Sequence, residues 1–244
     1  GIDLLVNDVG GLTFDIQGNS LTGLSDFGIR IQGNGNVEGR IGDQALADGN
    51  TILTRNTAGA GSAIEILKGG SAGTPAVNNA TWTILVQNNT LGDDGTSGGG
   101  NTDGISMIHR HDNGRLNLTM DDNTIQNITN QGIDILSEDD GPALGPRNDI
   151  RIVNNAFVNL SDDAIGIVAD DSADICVHIQ GNDDNAGGSP GIFDLSLIVA
   201  SAVLQITQPD TAGLAAANNF ATVTASGLIT FNGGCFNPTV PTNP

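Results

Sequence analysis

The feature of this sequence that most restricts its fold is a ten-residue spacing from an asparagine to an isoleucine. The spacing recurs while the surrounding residues change, and it separates Asn19 from Ile29, Asn123 from Ile133, and Asn155 from Ile165. A distance that is kept across dissimilar sequence indicates a structural constraint, and periods of about 20 to 50 residues are typical of solenoids. The chain is therefore expected to fold as a stack of similar coils.

Each repeat contains two short runs in which aliphatic residues alternate with others. Residues 150–153 and 165–168 are one such pair, and Asn, Asp, Gly and Ser separate the runs. Alternation with a period of two over so few residues predicts short strands joined by tight turns, and it argues against amphipathic helices. Each repeat is therefore predicted to be one coil of a parallel β-solenoid, with neighbouring coils about 4.8 Å apart.

An asparagine recurs at one turn of successive repeats. These residues are Asn19, Asn89, Asn123, Asn155 and Asn182. Asparagine tolerates the left-handed backbone conformation that tight turns need, and stacked asparagine side chains can hydrogen-bond along the axis of a solenoid. The sequence thus predicts a column of asparagines at this turn.

The pattern divides the chain into three parts. Residues 1–189 hold the coils, and residues 190–237 predict apolar strands, a short helix with Asp210 or Thr211 as its N-cap, and a final hairpin. Because a solenoid must cover the apolar end of its stack, this second part is predicted to be a C-terminal cap. Residues 238–244 are rich in proline and predict a tail or linker. No N-terminal cap is predicted, since residues 1–14 already have the pattern of strands.

The charge of the chain restricts its partners. Its 28 acidic residues against 8 basic ones give a formal net charge of −20 at pH 7. Such a surface repels nucleic acid and anionic membranes and attracts cations, so no nucleic-acid partner is expected. No segment approaches the roughly 18 to 20 apolar residues of a transmembrane helix. Since no signal-like segment is present, we expect a mature protein or a piece of a longer one.

The two cysteines, Cys176 and Cys235, lie in turn-rich segments without the paired spacing of a zinc site. A disulfide between them is predicted, and it would attach the cap to the last coil. Such a bond implies an oxidising compartment. Two unpaired thiols are the alternative.

The coils, for example "TIQNITNQGIDIL", resemble the repeats of right-handed parallel β-helix proteins of the PbH1 type. The segment "TASGLITFNGGC" after an alanine-rich helix resembles the end of large secreted bacterial adhesins and surface-display proteins with this fold. The resemblance implies an all-β right-handed parallel β-helix with a C-terminal cap that contains a short helix. It also implies an extracellular and largely structural role. Polygalacturonases and pectate lyases share the fold, so the fold alone does not decide the function.

Two motifs, "NTDG" and "SDDAIGI", resemble parts of the polygalacturonase active site. The resemblance implies catalytic carboxylates at Asp103, Asp162 and Asp163. The sequence departs from the family pattern, because Arg151 precedes the aspartate pair and no Gly-His-Gly follows it. In addition, Gln131 stands one coil after Asp103, where the acidic pair would be expected.

The repeat itself places Asp103, Gln131 and Asp163 in one column, each two residues before the isoleucine of its coil. Two rungs of a β-ladder separate the two carboxylates by about 10 Å. This is just beyond the roughly 6.5 to 9.5 Å of inverting glycosidases. A catalytic pair therefore stays open, although seven Phe, one Trp and 8 basic residues offer little to hold a sugar chain. The alternative for Asp103 is a polar residue at a corner of the coil.

Two groups of residues are candidate metal ligands. His109, His111 and Asp112 lie on or beside one strand and predict a transition-metal site, with a solvated strand end as the alternative. Acidic turns supply the oxygen ligands that calcium prefers, at Asp93, Asp94, Asp139, Asp140, Asp170 and Asp171. None of these turns has the spacing of an EF-hand or of a calcium-binding nonapeptide repeat, so a solvated acidic surface is the alternative.

The leading hypothesis is a secreted, extracellular structural or adhesive β-solenoid module of a bacterial surface protein or fibre, with a glycan or another surface ligand as a partner. Because an uncovered coil end is a set of sheet edges, stacking on another copy or on further coils is expected. The alternative is a polysaccharide-active enzyme, a glycoside hydrolase or lyase, that uses Asp103, Asp162 and Asp163.

Overall fold

Three sheets of parallel strands wind along one axis, and the chain visits them in a repeating order. The computed structural model describes residues 1–6, 10–24, 26–45, 48–54, 61–69, 79–93, 103–110, 113–138, 147–184, 195–200 and 202–231. Every strand pairing in these ranges is parallel and links one coil to the next. The predicted fold, an all-β parallel β-helix with a short helix near its C-terminus, is confirmed.

Sheets A and B each contain eight strands, and sheet C contains five. The strands of sheet A, in order along the axis, are β1 (Ile2–Val6), β4 (Ile29–Gly33), β7 (Ile64–Gly69), β10 (Ile105–Arg110), β13 (Ile133–Glu138), β16 (Ile165–Asp170), β18 (Leu195–Ala200) and β20 (Val223–Ser226). Those of sheet B are β2 (Gly11–Ile16), β5 (Asn36–Ile41), β8 (Thr81–Gln87), β11 (Arg115–Asp121), β14 (Arg147–Val153), β17 (Asp174–Gln180), β19 (Val203–Ile206) and β21 (Ile229–Phe231). Those of sheet C are β3 (Ser20–Leu24), β6 (Thr51–Thr54), β9 (Thr90–Asp93), β12 (Thr124–Gln126) and β15 (Ala156–Val158).

The core is a set of columns in which equivalent residues of successive coils stack. The first inward position of sheet A is an isoleucine in five consecutive coils, at Ile29, Ile64, Ile105, Ile133 and Ile165. All five are fully buried. The ten-residue spacing is thus explained, because it measures the path from the turn before sheet C to this column. Burial of these branched side chains stabilises the stack by roughly 1.5 to 3 kcal/mol for each residue.

The chain after residue 194 extends the two long sheets. Strands β18 and β20 continue sheet A, and β19 and β21 continue sheet B. Helix α1 (Thr211–Ala217) lies between β19 and β20, where earlier coils have a strand of sheet C, and Asp210 is its N-cap as predicted. The division of the chain at residue 190 stays a prediction. No helix in the described ranges is long and apolar enough to cross a membrane.

The predicted final hairpin is wrong. Strand β20 pairs with β18, and β21 pairs with β19, so the last two strands belong to different sheets. Gly227, which lies between these two strands, has a φ of 90° and forms a corner of the coil. A Cβ atom at this position would clash with the Val199 carbonyl oxygen, so the corner requires glycine.

Candidate functional site

The asparagines form a hydrogen-bonded ladder at the turn from sheet B to sheet C. The asparagine ladder consists of Asn19, Asn50, Asn89, Asn123, Asn155, Asn182 and Asn218. At every step, the Oδ1 atom of one asparagine accepts from the backbone N–H and the Nδ2 atom of the asparagine in the preceding coil, at 2.8–3.1 Å. The predicted column is confirmed for its five members.

Sequence reasoning missed two rungs of the ladder. Asn50 lies in an irregular coil, but it is followed by a threonine as Asn89 and Asn123 are, and this signal could have found it. Asn218 directly follows the alanine-rich helix α1, where a helix C-terminus was the only expectation. The backbone prediction also needs correction, because the left-handed residue is the one before the ladder asparagine. Its φ is 55° at Asn88 and 56° at Asn154.

The interior of the ladder is buried and satisfied. Asn155, for example, is fully buried, and its Nδ2 atom donates both to Asn182 Oδ1 at 2.9 Å and to the Met120 carbonyl at 3.0 Å. Buried polar groups cost little only when each hydrogen bond is made, and a fully connected network then rigidifies the structure. The ladder therefore makes the turn rigid along the stack of coils.

The two ends of the ladder differ. At the C-terminal end, the Asn218 backbone N–H donates to Ala215 O at 3.2 Å, and Nδ2 donates to Ile179 O at 3.1 Å and Leu214 O at 2.8 Å. Helix α1 thus takes up the donors that would reach a next rung. At the N-terminal end, no group in the described ranges donates to the Oδ1 atom of the half-buried Asn19.

Asp103 precedes β10 and is held by donors of the chain itself. It is only 7% exposed, and its two carboxylate oxygens accept from Asn130 Nδ2 at 2.7 Å and from Ser62 Oγ at 3.1 Å. Burial raises the pKa of Asp103, and the charge of Asp162 acts in the same direction. This environment fits a corner residue that fastens neighbouring coils.

The register agrees with the predicted column of Asp103, Gln131 and Asp163. The N–H of Gly104 donates to Gln131 O at 3.1 Å, and the N–H of Gly132 donates to Asp163 O at 2.9 Å. Asp103 and Asp163 therefore lie at the same corner on rungs two apart. Asp163 is 6% exposed and Asp162 is half-buried. The catalytic role of these three aspartates stays a prediction.

A fourth carboxyl group, that of Asp134, was missed. Asp134 lies on the outer face of β13, in register with Ser106 of β10, whose other neighbour is Glu65 of β7. Burial raises the pKa of Asp134 to about 6, and the charge of Asp103 contributes. Strand alternation after Ile133 places Asp134 outward, but the packing that removes water from it comes from other coils and leaves no local signal.

His109 of the predicted transition-metal set is not at a solvated strand end. It is fully buried on β10, and its Nδ1 atom lies 2.7 Å from Asn148 Oδ1, while Asn148 Nδ2 donates to Ser137 Oγ at 2.7 Å. With Lys68, one rung from His109 and 1% exposed, these residues form the buried polar cluster. His111 and Asp112 lie outside the described residues, so the metal site stays a prediction.

The calcium candidates are only partly described. Asp170 Oδ1 accepts from the N–H of Asp171 at 2.8 Å, and Asp171 is an exposed residue with a φ of 54°. The side chain of Asp93 and all of Asp94, Asp139 and Asp140 lie outside the described residues. Within the described ranges, no group of three His, Cys, Asp or Glu side chains is arranged to hold a metal ion.

Of the two cysteines in the predicted disulfide, only Cys176 lies in the described part of the chain. Cys176 lies on β17, in register with Asp149 of β14, and is 7% exposed. Cys235 lies outside the described residues, so the Cys176–Cys235 bond stays a prediction.

Comparison with known proteins assigns no family. No protein-family model matches the chain, and no curated protein or solved structure matches it significantly.

Proposed function

We propose that the chain is a structural or adhesive β-solenoid module of an extracellular bacterial surface protein or fibre, with coils of the PbH1 type, and that its N-terminal end stacks on a further coil. The observation that carries the proposal is the N-terminal edge of the three sheets, formed by β1, β2 and β3. In the described part of the chain, no strand pairs with the outer edge of these three.

The backbone of β1 supports stacking. The Ile2 N–H donates to Gly28 O at 2.8 Å, and Val6 O accepts from the Asn34 N–H at 2.9 Å, so these residues bond toward β4. In a parallel strand, the backbone N–H and C=O groups of alternate residues point to opposite edges. Those of Asp3 and Leu5 therefore lie at the open edge. Unpaired edges of this kind are templates for another strand.

The side chains at this edge support the same proposal. Ile2, Leu4 and Leu12 are only partly buried, whereas Ile29 and Ile31, one coil further on, are fully buried. A further coil would remove the exposed apolar surface of the first three from water, which is favourable by about 25 cal/mol per Å².

An apolar column on the outer face of sheet A supports the adhesive part of the proposal. Its five aligned members are Leu67, Ile108, Leu136, Val168 and Ile198. Ile198 is 45% exposed, and in a chain this acidic a continuous aliphatic column is a candidate contact surface for a surface ligand. The extracellular location and the Cys176–Cys235 disulfide belong to the same proposal.

A second candidate function is a polysaccharide-active enzyme that uses Asp103, Asp162 and Asp163. The observation that favours it is the shared corner of Asp103 and Asp163, together with the burial that raises the pKa of Asp103. A carboxyl with a raised pKa beside a second carboxylate is the usual arrangement of a general acid. Against it, both oxygens of Asp103 already accept hydrogen bonds from the chain.

The double variant Asp103→Asn with Asp163→Asn separates the two functions. We expect the midpoint of thermal unfolding to change by no more than a few degrees, because an asparagine at 103 can accept from Asn130 and donate to the Ser62 hydroxyl. Binding to immobilised polygalacturonate and to a neutral glucan should match that of the wild type, and neither protein should release reducing ends. Cleavage by the wild type that the double variant loses more than 100-fold would overturn the structural proposal.

Calcium bound by the acidic turns is an independent proposal. Asp170 and Asp171 are its described members, and the carboxylate-rich turn has the ligand type that calcium prefers.

A further inference from the structure

We propose that the N-terminal end of the solenoid accepts one kind of partner, a parallel β-coil whose turn asparagine donates its backbone N–H and its side-chain amide to Asn19 Oδ1. The partner is a coil of another solenoid segment and not the C-terminal end of a second copy. This inference rests on the proposed stacking function and adds the chemistry of the partner to it.

The polarity of the asparagine ladder carries the inference. In each step from Asn19 to Asn218, the donors belong to the coil nearer the N-terminus and the Oδ1 acceptor belongs to the next coil. All the hydrogen bonds of the ladder therefore point the same way along the axis of the solenoid. The rung that would precede Asn19 must supply two donors, one from the backbone and one from a side-chain amide.

The side chain of Asn19 can form one further kind of hydrogen bond, in which its Oδ1 atom is the acceptor. Its N–H donates to Asn50 Oδ1 at 3.1 Å, and its Nδ2 atom donates to Asn50 Oδ1 and to Gln17 O, both at 3.0 Å. Its Oδ1 atom accepts from no described group, whereas Asn50 Oδ1 one coil further on accepts twice. A coil that stacks on this end must therefore present a hydrogen-bond donor to Asn19 Oδ1.

Within the described ranges, the last rung of a second copy cannot supply this donor, because its own donors are already used. Asn218 is the last rung in the described ranges, and its N–H donates to Ala215 O while its Nδ2 hydrogens go to Leu214 O and Ile179 O. In Asn182 the corresponding amide hydrogen goes to the next rung, at 2.8 Å from Asn218 Oδ1. Helix α1 thus occupies the donors that a head-to-tail contact would need.

Two N-terminal ends cannot satisfy each other either. A twofold contact that brings the two turns together would place one Asn19 Oδ1 opposite the other, and two acceptors without a shared hydrogen repel. An unmade hydrogen bond in a closed interface costs about 1–3 kcal/mol for each group. Both ways of joining identical copies therefore leave the ladder broken.

The test supplies the missing rung to the full chain. A copy of residues 133–163 is placed before Gly1, so that Gly1 takes the place of Ala164 and Ile2 that of Ile165. The distance from Ile165 to Asn182 equals that from Ile2 to Asn19, so the added copy of Asn155 reaches the open rung. We expect the amide hydrogens of Asp3 and Leu5 to exchange at least about 100-fold more slowly than in the unextended chain.

Two matched variants separate the inference from the stacking function on which it rests. In one, Asn155→Ala is made in the added copy alone, and we expect most of the protection at Asp3 and Leu5 to be lost. Equal protection with and without this asparagine would overturn the donor requirement and leave the stacking function in place. In the other variant, Leu5→Pro removes the edge N–H, and loss of the protection is expected. Absence of protection with the intact added coil would overturn both.

The unextended chain provides a second measurement. We expect it to sediment as a monomer over a wide range of concentration, because the donors of Asn218, the last rung that the structure describes, are already used within the chain. Concentration-dependent fibres that protect the Asp3 and Leu5 amides would show that identical copies supply the coil, and they would overturn the choice of partner.

Discussion

Replacing Asn155 with alanine is expected to lower the free energy of unfolding by about 3–6 kcal/mol. The change removes the acceptor of the Asn123 N–H and of one Asn123 Nδ2 hydrogen, and it removes the donor to the Met120 carbonyl. All three groups lie in the buried part of the structure, where each unsatisfied group costs about 1–3 kcal/mol. Denaturant unfolding followed by the fluorescence of Trp82, the only tryptophan and fully buried, measures the effect.

Asn19→Ala is the matched control for this prediction. Asn19 is half-buried at the open end, so water can replace the bonds that its side chain loses, and a cost of no more than about 1 kcal/mol is expected. Equal losses for the two variants would show that the interior of the ladder contributes no more than a surface turn does.

Asp134→Asn is expected to stabilise the protein at pH 7 and to leave it unchanged below about pH 4. Burial raises the pKa of Asp134 from 3.8 to about 6, so the folded state binds more protons than the unfolded state between these values. Stability from this group is therefore fully present below the lower value and is lost as the pH rises through the upper one. The half-buried asparagine carries no charge, and a gain of about 1–3 kcal/mol at pH 7 is expected.

The measurement is a pair of denaturant unfolding curves, at pH 4 and at pH 7. Asp15→Asn, which changes an exposed carboxylate on sheet B, serves as the control and should differ from the wild type by no more than about 0.5 kcal/mol at either pH. A gain that is the same at pH 4 and pH 7 would contradict the assigned cause, because it could not arise from the charge of Asp134.

The sequence predicted the coil and its register well because both depend on a short repeated path. The ten residues from the asparagine to the isoleucine cross one turn, one short strand and a second turn, and their length is fixed wherever nothing is inserted. Ile133 and Ile165 could therefore be aligned without a structure, and their pairing follows the same alignment. Asn50 was missed where an irregular segment hid the repeat.

The site was harder to predict because burial on the outer faces depends on segments far away in the chain. The pattern places Asp134 outward, where most carboxyl groups meet water, yet it is largely shielded. Asp103 was recognised as a polar corner residue or an acid, but its donors Ser62 and Asn130 come from other coils and could not be read from the motif. The final hairpin was wrong for a related reason, since only pairing with β18 and β19 decides between a hairpin turn and a corner.

A chain of similar coils can misfold in a particular way, in which a coil pairs with one that is not its neighbour in the sequence. If one coil were skipped, the isoleucine columns would still meet isoleucine, so they discriminate poorly between correct and incorrect neighbours. The buried polar cluster is different, because the hydrogen bond between His109 of β10 and Asn148 of β14 requires that these two coils be adjacent. Shifted by a coil, His109 would face Leu116 or Ile175, the neighbours of Asn148 on sheet B, and its ring would lose the hydrogen bond with Asn148. The cluster thus specifies which coils are neighbours in a repetitive molecule. Only the correctly ordered stack forms without leaving a buried polar group unbonded.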